Sequence, residues 1–600
     1  MTNVKKILKN HFSSLAYFYS HLRYRLLLLL VVSIVVGLLD GLGLAMFLPL
    51  LELVADQETQ ASSAAMGNLA FILDGIQNFG LKLTLTVVLL TMLAFFIFKG
   101  IANYLSSYLN VIYLQFFIRK IRVDTIDALT EYRYQAFVNA DAGAIQNTLS
   151  GEVERVAQAY KTYSRMLQQG VLVLTYAGIA FLANPEFALL VLVGGVLSNF
   201  LFSILYKKTK VLSQRLVKSS HSFQGLLIQE VAFFKYLKST GSIRSYAENL
   251  KEKVYEIEDS VRKMGVLNSI MAGVREPLMM TIVVCTILVQ VHLMGGSLAT
   301  IILSLLFFYR ALSSVTQLQT SYNAFLSFSG SLTNMTDFVA ELRAQQEPNG
   351  QTKVPSFAEA ITLENVSFGY QPGDWILQDI ELSLHRYETL ALVGESGSGK
   401  TTLMNLLSGL LQPSKGCMYI DGLDSSEVDI RSLQQRIGYI TQEVVIFDDT
   451  IFNNVTFWAE KTPENLERFR EALRRASILD FVLEQSAAEN AGLGNNGINL
   501  SGGQKQRISI ARELYKDVDF LFMDEATSAL DSETERAIQE NIDLLKGQYT
   551  MLIIAHRLST IKNADRVIVL KQGRIEHVGR YEELIEKSVS FKRMVELQEL

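Results

Sequence analysis

The sequence predicts a multidomain chain: an α-helical membrane domain with six spans, followed by an α/β domain organised around a phosphate-binding loop. Six long apolar runs lie before residue 320, and charged residues are only 19% of the 600-residue chain, a composition typical of proteins with a large part in lipid. From about residue 360 the pattern changes to short β-branched strands alternating with helices, which indicates a sheet with parallel strands. A chain of this length also exceeds a single hydrophobic core. We therefore expect a membrane domain over 1–340, a linker over 341–358 and an α/β domain over 359–600.

The apolar runs are long enough to cross a bilayer, which takes about 20 helical residues. They lie at 25–54, 81–105, 164–182, 185–206, 268–292 and 297–317. Basic residues cluster before the first run and in the connections after the second and fourth runs, whereas the loop 55–80 has no Lys or Arg. Cytoplasmic loops carry the excess of Lys and Arg. The sequence therefore predicts a multi-pass membrane protein whose basic connections and α/β domain lie in the cytoplasm.

The two basic connections, 106–163 and 207–267, are polar, rich in helix formers and poor in Gly and Pro. They predict membrane helices that continue into the cytoplasm, with turns near 141–143 and 230–232, although a solvated coiled face would have the same composition. Residues 66–79 of the outer loop have apolar side chains at helical spacing, which fits either a short interfacial helix or an ordinary packed loop.

Charge and cysteine content exclude several other classes. The formal net charge of -5 gives no reason to expect nucleic acid as a partner. The two cysteines, Cys285 and Cys417, are far apart in sequence and imply neither a disulfide framework nor a Cys-rich metal site. The N-terminal lysines precede no short apolar core with a small-residue cleavage site, so we predict no removable signal peptide.

The phosphate-binding loop follows an apolar strand and opens a helix. It contains the pattern G-x-x-x-x-G-K-[ST], in which glycines let backbone N–H groups surround phosphate oxygens and the helix start adds a positive dipole. Lys400 would reach the outer phosphates, and the Thr401 hydroxyl would hold Mg²⁺. The candidate phosphate-binding residues are Gly394, Glu395, Ser396, Gly397, Ser398, Gly399, Lys400, Thr401 and Thr402.

Further candidates stand where apolar strands end. Asp524 and Glu525 follow such a strand, where Asp524 would orient Mg²⁺ and Glu525 would act as general base toward the attacking water. His556 ends the next strand and would contact the γ-phosphate, although a lone His there is more often structural. Tyr370 ends the first strand of the domain and could stack on a base, although such aromatics usually pack in the core.

A second glycine-rich helix start, Leu500-Ser501-Gly502-Gly503-Gln504, makes the chain resemble the ATP-binding cassette (ABC) transporters. Six spans followed by one cassette is the half-transporter layout of exporters in that family. The resemblance implies ATP and Mg²⁺ as cofactors, and it assigns Tyr370 to the base-stacking A-loop and Gln442 to the Q-loop, with catalytic and metal-binding roles. It also assigns Asp531 to the D-loop and His556 to the switch.

The resemblance also implies that two cassettes pair head to tail, because one chain supplies only half of each ATP site. Ser501, Gly502, Gly503, Gln504 and Asp531 of one chain would complete the site at Lys400 of another. The partner would be a second copy, giving a homodimer, or a paralogous half-transporter.

Three cations lie inside apolar spans: Lys99, Arg275 and Arg310. Each is about 13 to 17 residues, or roughly 20–25 Å, from the outer end of its helix, so we expect them to share one layer. Charges at such depth cost about 2.5–3.5 kcal/mol each, and an anionic head group such as a phosphate or pyrophosphate would suit them. The alternative is internal pairing with Asp40 and Glu276.

Within the family, the membrane half resembles the bacterial flippases for lipid-linked oligosaccharides. The resemblance rests on residues 149–153, on the run 309–322 and on the three cations, which stand where such flippases have arginines; Lys99 and the added Glu276 are departures. It implies ATP-driven export or flipping of an amphipathic anionic lipid across a bacterial inner membrane. Two alternatives stay open: an exporter of a peptide or hydrophobic drug, and a membrane ATPase that regulates a partner without moving cargo.

Overall fold

The computed structural model divides the chain into two compact units, Met1–Tyr132 with Ala140–Gln346, and Arg133–Asn139 with Glu347–Leu600. It describes residues 15–47, 49–50, 53, 74, 77–78, 82, 84–183, 185–292, 298–354, 356–371, 373–524, 532–555 and 557–599. For 185–199 and 298–308 it describes the backbone alone. Most of the predicted outer helix at 66–79 lies outside these residues.

Long helices make up the first unit. They are α1 (Tyr24–Ala45), α2 (Leu85–Thr130), α4 (Ala142–Asn147), α5 (Val153–Ala183), α6 (Pro185–Ala232), α7 (Phe234–Ser239), α8 (Ile243–His292) and α9 (Leu298–Ala344), with α3 (Tyr134–Asn139) in the second unit and a π-helical turn at Thr148–Glu152. Helix α2 has 46 residues, a length of about 70 Å at 1.5 Å per residue, which is more than twice the bilayer core. The predicted continuation of membrane helices beyond the lipid is therefore confirmed for α2 and for the 48-residue α6.

Four of the described helical stretches are long and apolar enough to cross a membrane: Tyr24–Ala45, Leu85–Thr130, Ala142–Leu182 and Ile243–Val289. The predicted spans 185–206 and 297–317 fall on α6 and α9, whose side chains are only partly described. The count of six spans stays a prediction.

The turn predicted near 230–232 is confirmed to within a residue, whereas the turn predicted near 141–143 differs. The chain leaves α2 at Thr130 and reverses around the six-residue α3, and it leaves α6 at Ala232 and reverses around α7. Asp141, predicted as part of the first turn, is the N-cap of α4: its side chain accepts hydrogen bonds from the backbone N–H groups of Gly143 and Ala144. Asp141 is itself in an extended conformation, in which a short polar side chain caps the helix that follows.

Two sheets form the second unit. The strands are β1 (Ala360–Phe368), β2 (Leu377–His385), β3 (Thr389–Val393), β4 (Lys415–Ile420), β5 (Leu423–Asp424), β6 (Ile437–Ile440), β7 (Phe520–Asp524), β8 (Thr550–Ile554), β9 (Arg566–Lys571) and β10 (Arg574–Gly579). The smaller sheet has the order β2-β1-β4-β5 and is antiparallel, and the larger has the order β10-β9-β3-β8-β7-β6. Strands β9, β3, β8, β7 and β6 are mutually parallel, as predicted.

Helices cover the large sheet on both faces. They are α10 (Lys400–Leu407), α11 (Ile430–Gln434), α12 (Ile451–Thr456), α13 (Pro463–Arg475), α14 (Leu479–Glu484), α15 (Gly502–Tyr515), α16 (Ser532–Leu545), α17 (Leu558–Lys562), α18 (Tyr581–Lys587) and α19 (Val589–Glu599). Alternate residues of β7 enter different cores: Phe520 and Phe522 pack with α10, whereas Leu521 and Met523 pack with α15. Burial on both faces explains why these strands are continuous apolar runs. Helix α9 ends at Ala344, four residues into the predicted linker.

Candidate functional site

The phosphate-binding loop connects β3 to α10, as predicted. All five residues of β3 are buried, and α10 begins at Lys400. Gly399 is the N-cap of α10 with φ of 100°, a conformation that residues with a Cβ rarely adopt. A Cβ on Gly394 would lie 2.2 Å from the Leu570 carbonyl oxygen. These two positions require glycine, and the loop backbone is thereby held at the start of a helix, where an anion binds.

The side chains of the loop fit a phosphate ligand. The Lys400 ammonium donates hydrogen bonds to the carbonyl oxygens of Gly394 (2.9 Å) and Glu395 (3.1 Å), so it bends back over the loop. The Ser398 hydroxyl is buried, and its oxygen has no hydrogen-bond partner among the described residues. A buried hydroxyl without a partner costs free energy. A phosphate oxygen in the loop would satisfy it, so the residues present fit the nucleotide that the motif implies.

Strand order brings two more predicted residues to the same edge of the sheet. Parallel strands place their carboxyl ends together, and β3, β8, β7 and β6 are consecutive neighbours. The Thr401 hydroxyl therefore donates to a carboxylate oxygen of Asp524 at 3.3 Å. Gln442 lies two residues beyond β6 and is exposed. Burial, and then the charge of Asp524, raise the pKa of Tyr439 in β6, which is consistent with a carboxylate facing this strand.

Tyr370 lies at the end of β1 and is half-buried. Its ring packs edge-on against Phe368, with centroids 5.1 Å apart, and burial raises the pKa of its hydroxyl. Helix α3 contacts the same place, because the Gln135 amide donates to the Tyr370 carbonyl oxygen at 3.3 Å. The structure thus shows the packing role of Tyr370, and its stacking on a base stays a prediction.

Ser501 begins α15 with a reciprocal cap. Its hydroxyl accepts from the backbone N–H of Gln504 (3.3 Å), while the Gln504 side chain accepts from the Ser501 N–H (2.9 Å), the capping box that stabilises a helix start. Ser501 and Gly502 are exposed, whereas Gly503 is buried. Helices α15 and α10 pack on opposite faces of the sheet. Within one chain, the helix starts at Ser501 and Lys400 therefore do not lie on the same face of the sheet.

Three predicted site residues lie outside the described residues: Glu525, Asp531 and His556. Their assigned roles stay predictions. The residues just before two of them are described, since Asp524 ends β7 and Ala555 follows β8 at the same edge of the sheet.

Sequence reasoning missed a buried network behind the Gln442 loop. Arg512 of α15 donates to the Val445 carbonyl (2.8 Å) and to the carbonyl and side-chain oxygens of Asn454 (2.6 and 3.1 Å). Asn454 is fully buried and also joins the Phe447 backbone in both directions. Burial lowers the pKa of Arg512. The signal available in the sequence was a cation directly after the apolar residues Ile510 and Ala511 of α15.

In the membrane unit, Lys99 is paired internally. Its ammonium forms an ion pair with Asp40, whose other carboxylate oxygen accepts a hydrogen bond from the Tyr176 hydroxyl. The Asp40 side chain is 2% exposed and that of Lys99 is 21% exposed. Of the two alternatives for Lys99, the structure therefore shows internal pairing.

Arg275 stands apart from that group. One of its terminal nitrogens donates to the Thr320 hydroxyl, and Thr320 follows Arg310 by ten residues on α9, about 15 Å along the helix axis. The expected single layer of three cations is therefore wrong, because the cationic groups lie at two levels. The expectation was based on the number of residues between each cation and the outer end of its helix, which assumes that all the outer ends lie at the same depth. Glu276 is exposed and forms no ion pair with Arg275.

Fold and site together define a P-loop ATPase joined to a helical membrane domain. Residues 377–528 match the family model described as ABC transporter, and residues 26–321 match the ABC transporter transmembrane region. An ATP-dependent lipid A-core flippase of Psychrobacter arcticus is 30% identical over 543 residues, 88% of each chain. One from Francisella tularensis is 27% identical, over 89% of this chain and 90% of the relative. The chain belongs to the ABC transporters.

A solved structure agrees with this assignment at the level of the fold. A bacterial Atm1-family ABC exporter with ATP bound has a TM-score of 0.77 and 22% identity, covering 97% of this chain and 99% of that one. The protein is thus a half-transporter of the exporter type, an ATPase coupled to movement of a substrate across a membrane. It binds ATP and spans a membrane.

Proposed function

We propose that this exporter flips an amphipathic anionic lipid, with a lipid-linked oligosaccharide or related polyprenyl lipid or glycolipid as the substrate class. The observation that carries the proposal is Arg275, a cation inside the membrane unit that is 6% exposed and pairs with no carboxylate among the described residues. A buried charge without a partner costs several kcal/mol, and intramembrane cations mark substrate paths. An anionic head group would supply the missing charge.

The surroundings of Arg275 combine unsatisfied polar atoms with aromatic rings. The Arg275 Nε, the Tyr206 hydroxyl and the Asn323 side-chain oxygen are buried without a hydrogen-bond partner in the described part of the unit. The guanidinium lies 5.9 Å from the Phe202 ring centroid, and Tyr206 packs edge-on against Tyr322 at 5.0 Å. Two of these atoms, the Arg275 Nε and the Tyr206 hydroxyl, are donors beside apolar rings, which suits an amphipathic ligand with an anionic group.

The relatives support a lipid over a peptide or drug. Two of those compared above are named as flippases of lipid A-core, an ATP-dependent activity. The finer choice of a lipid-linked oligosaccharide rests on the sequence resemblance, and Arg275 rather than Lys99 is the cation we assign to its phosphate. Arg310 is a second, more exposed candidate.

We further propose a homodimer in a bacterial inner membrane, with Mg²⁺ at each ATP site. Mg²⁺ prefers oxygen ligands and is usually held by one or two protein groups together with nucleotide phosphates. Thr401, Asp524 and Gln442 would hold the ion, and the charge of the ion would neutralise part of the charge on the phosphates. Ser501 of each copy would complete the site of the other.

The test is flipping in proteoliposomes that contain a fluorescent polyprenyl-pyrophosphate oligosaccharide. We expect Arg275→Gln to lower the number of lipids flipped per ATP hydrolysed at least about tenfold, since it removes the unpaired charge that meets the phosphate. The matched control is Arg119→Gln, which removes an exposed cation from another helix and should leave this ratio unchanged. Normal flipping by Arg275→Gln would contradict the proposal.

The same assay separates the alternatives. ATP hydrolysis without movement of any offered substrate would favour an ATPase that regulates a partner. Movement of a hydrophobic cation or peptide, with no movement of anionic lipids, would favour the peptide or drug exporter.

A further inference from the structure

A groove with basic rims lies between α6 and α8 in the membrane unit. Its volume is about 620 Å³, and it is lined by Lys207, Lys208, Val211, Leu212, Arg262, Lys263, Val266 and Leu267. All four charged residues of the lining are cations, and they stand on both sides of an apolar floor. We propose that this groove, hereafter the α6–α8 groove, binds the head group of an anionic phospholipid of the cytoplasmic leaflet.

The groove has a positive charge that its surroundings do not neutralise. Arg262 and Lys263 both pair with Asp259, at 2.8 and 2.5 Å, whereas no carboxylate among the described residues pairs with Lys207 or Lys208. Four cations and one carboxylate leave a net charge of +3. A lipid phosphate would be the complementary group, and basic recesses between helices on the cytoplasmic side are suited to such head groups.

Its depth also suits a phospholipid. On α6 the apolar run ends at residue 206, and on α8 the apolar run begins at residue 268. Lys207 and Lys208 therefore stand one and two residues outside the apolar segment of α6, and Arg262 and Lys263 stand six and five residues outside that of α8, about 8–9 Å along the helix. Phosphates of the bilayer lie at this boundary between hydrocarbon and water. A soluble anion would have no reason to select an apolar floor, whereas a lipid would place its glycerol and first acyl carbons there.

Exposed apolar stripes continue from the groove into the membrane. On α6, Phe200, Leu201 and Ile204 lie within about two turns of the two groove lysines on their membrane side, and all three are exposed. On α8, Val266, Ile270 and Val274 follow at intervals of four and are also exposed. Residues three or four apart share a helix face. Two apolar stripes that lead away from one basic recess match the acyl chains of one lipid.

The site is distinct from the surroundings of Arg275. Arg275 is buried and faces Thr320 of α9, whereas the groove cations are exposed to solvent on α6 and α8. The inference therefore does not depend on the substrate proposed above, and loss of one site should not remove the other.

The experiment is native mass spectrometry of the full-length dimer, delipidated in detergent and titrated with phosphatidylglycerol or phosphatidylcholine. We expect wild type to prefer phosphatidylglycerol, and Lys207→Gln with Lys208→Gln to weaken its binding about tenfold, given the attraction contributed by each basic residue near a membrane. The charge-preserving pair Lys207→Arg and Lys208→Arg should retain the preference. The matched control, Lys210→Gln with Lys218→Gln, removes two exposed cations of the same helix outside the groove and should bind as wild type.

A second variant tests the floor independently of the lysines. Val266→Asp places a negative charge on the apolar floor and should also weaken phosphatidylglycerol binding about tenfold. Equal binding by wild type and both groove variants would overturn the proposal, as would an equal loss in the Lys210 and Lys218 control. Displacement of the lipid by 10-fold excess inorganic phosphate would also overturn it, since the groove would then be a site for free anions.

Discussion

Lys400 in the cassette and Lys99 in the membrane unit are both held by oxygen atoms, but the two sets of partners have different origins. Lys400 donates to carbonyl oxygens five and six residues away on its own loop. Lys99 pairs with Asp40, which is 59 residues away on another helix. The sequence pattern of the loop therefore predicts the position of Lys400. That of Lys99 depends on how two helices pack, so its partner is visible only in the structure.

The largest expected effect tests the cassette side of this comparison. Glu525→Gln should lower ATP turnover about 10²–10⁴-fold, because it removes the carboxylate that we predict to be the general base without changing the size of the side chain. ATP binding, measured by equilibrium dialysis, should stay close to wild type, since we expect the phosphate contacts to come from Lys400 and the loop backbone. Near-normal hydrolysis would show that Glu525 is not the general base, although the sequence pattern predicts an acid at the end of this strand.

The next effect tests the membrane side. Asp40→Asn would leave the Lys99 charge without its partner in a largely buried position, and breaking a buried pair costs about 3–5 kcal/mol. We expect a clear drop of the melting temperature in detergent. The double variant Asp40→Asn with Lys99→Met removes both charges and should recover most of the loss.

Two outcomes would contradict this view of the pair. An unchanged melting temperature for Asp40→Asn would mean that Lys99 is solvated in the folded protein. A stable Asp40→Asn variant with altered flipping would instead indicate that Lys99 binds substrate. Lys99 and Lys400 would then both be ligand-binding residues.

The cassette was predictable because its functional residues follow buried strands. Thr401 and Asp524 were predicted together from an apolar run, a glycine pattern and a strand-end acid, and the parallel order of β3, β8 and β7 brings them to 3.3 Å. In the membrane unit, helix existence was predictable from apolar length. The relative depths of Arg275 and Arg310 in the membrane unit could not be predicted, because they depend on how far the helices are shifted along each other, which local sequence patterns do not indicate.

The cassette also has contacts that local patterns do not record. Asn454→Ala would remove the side-chain partner of the Phe447 N–H, of the Phe447 carbonyl and of one terminal nitrogen of Arg512, whose other bonds to backbone carbonyls would remain. Each buried group left unpaired costs about 1–3 kcal/mol, so we expect a loss in this range in urea unfolding of the cassette transition. The matched control is Asn465→Ala. It removes an exposed hydrogen bond from the Asn465 amide to the Glu460 carbonyl at 2.9 Å and should cost much less. Equal losses in the two variants would mean that Asn454 is hydrated.

The smallest expected effect concerns Asp449, which orders the loop before α12. Hydrogen bonds from the Trp458 indole, and then from the Thr450 N–H and the Asn453 amide, lower the pKa of Asp449. A carboxyl whose pKa is lowered on folding stabilises the folded state fully above its unfolded pKa of about 3.9, and this contribution is lost as pH falls through the lower folded value. In a Trp375→Phe background, Trp458 fluorescence should therefore stay constant down to about pH 4 and change only below it. Asp449→Asn should remove this acid transition, and a transition that persists in that variant would assign it to general unfolding of the cassette.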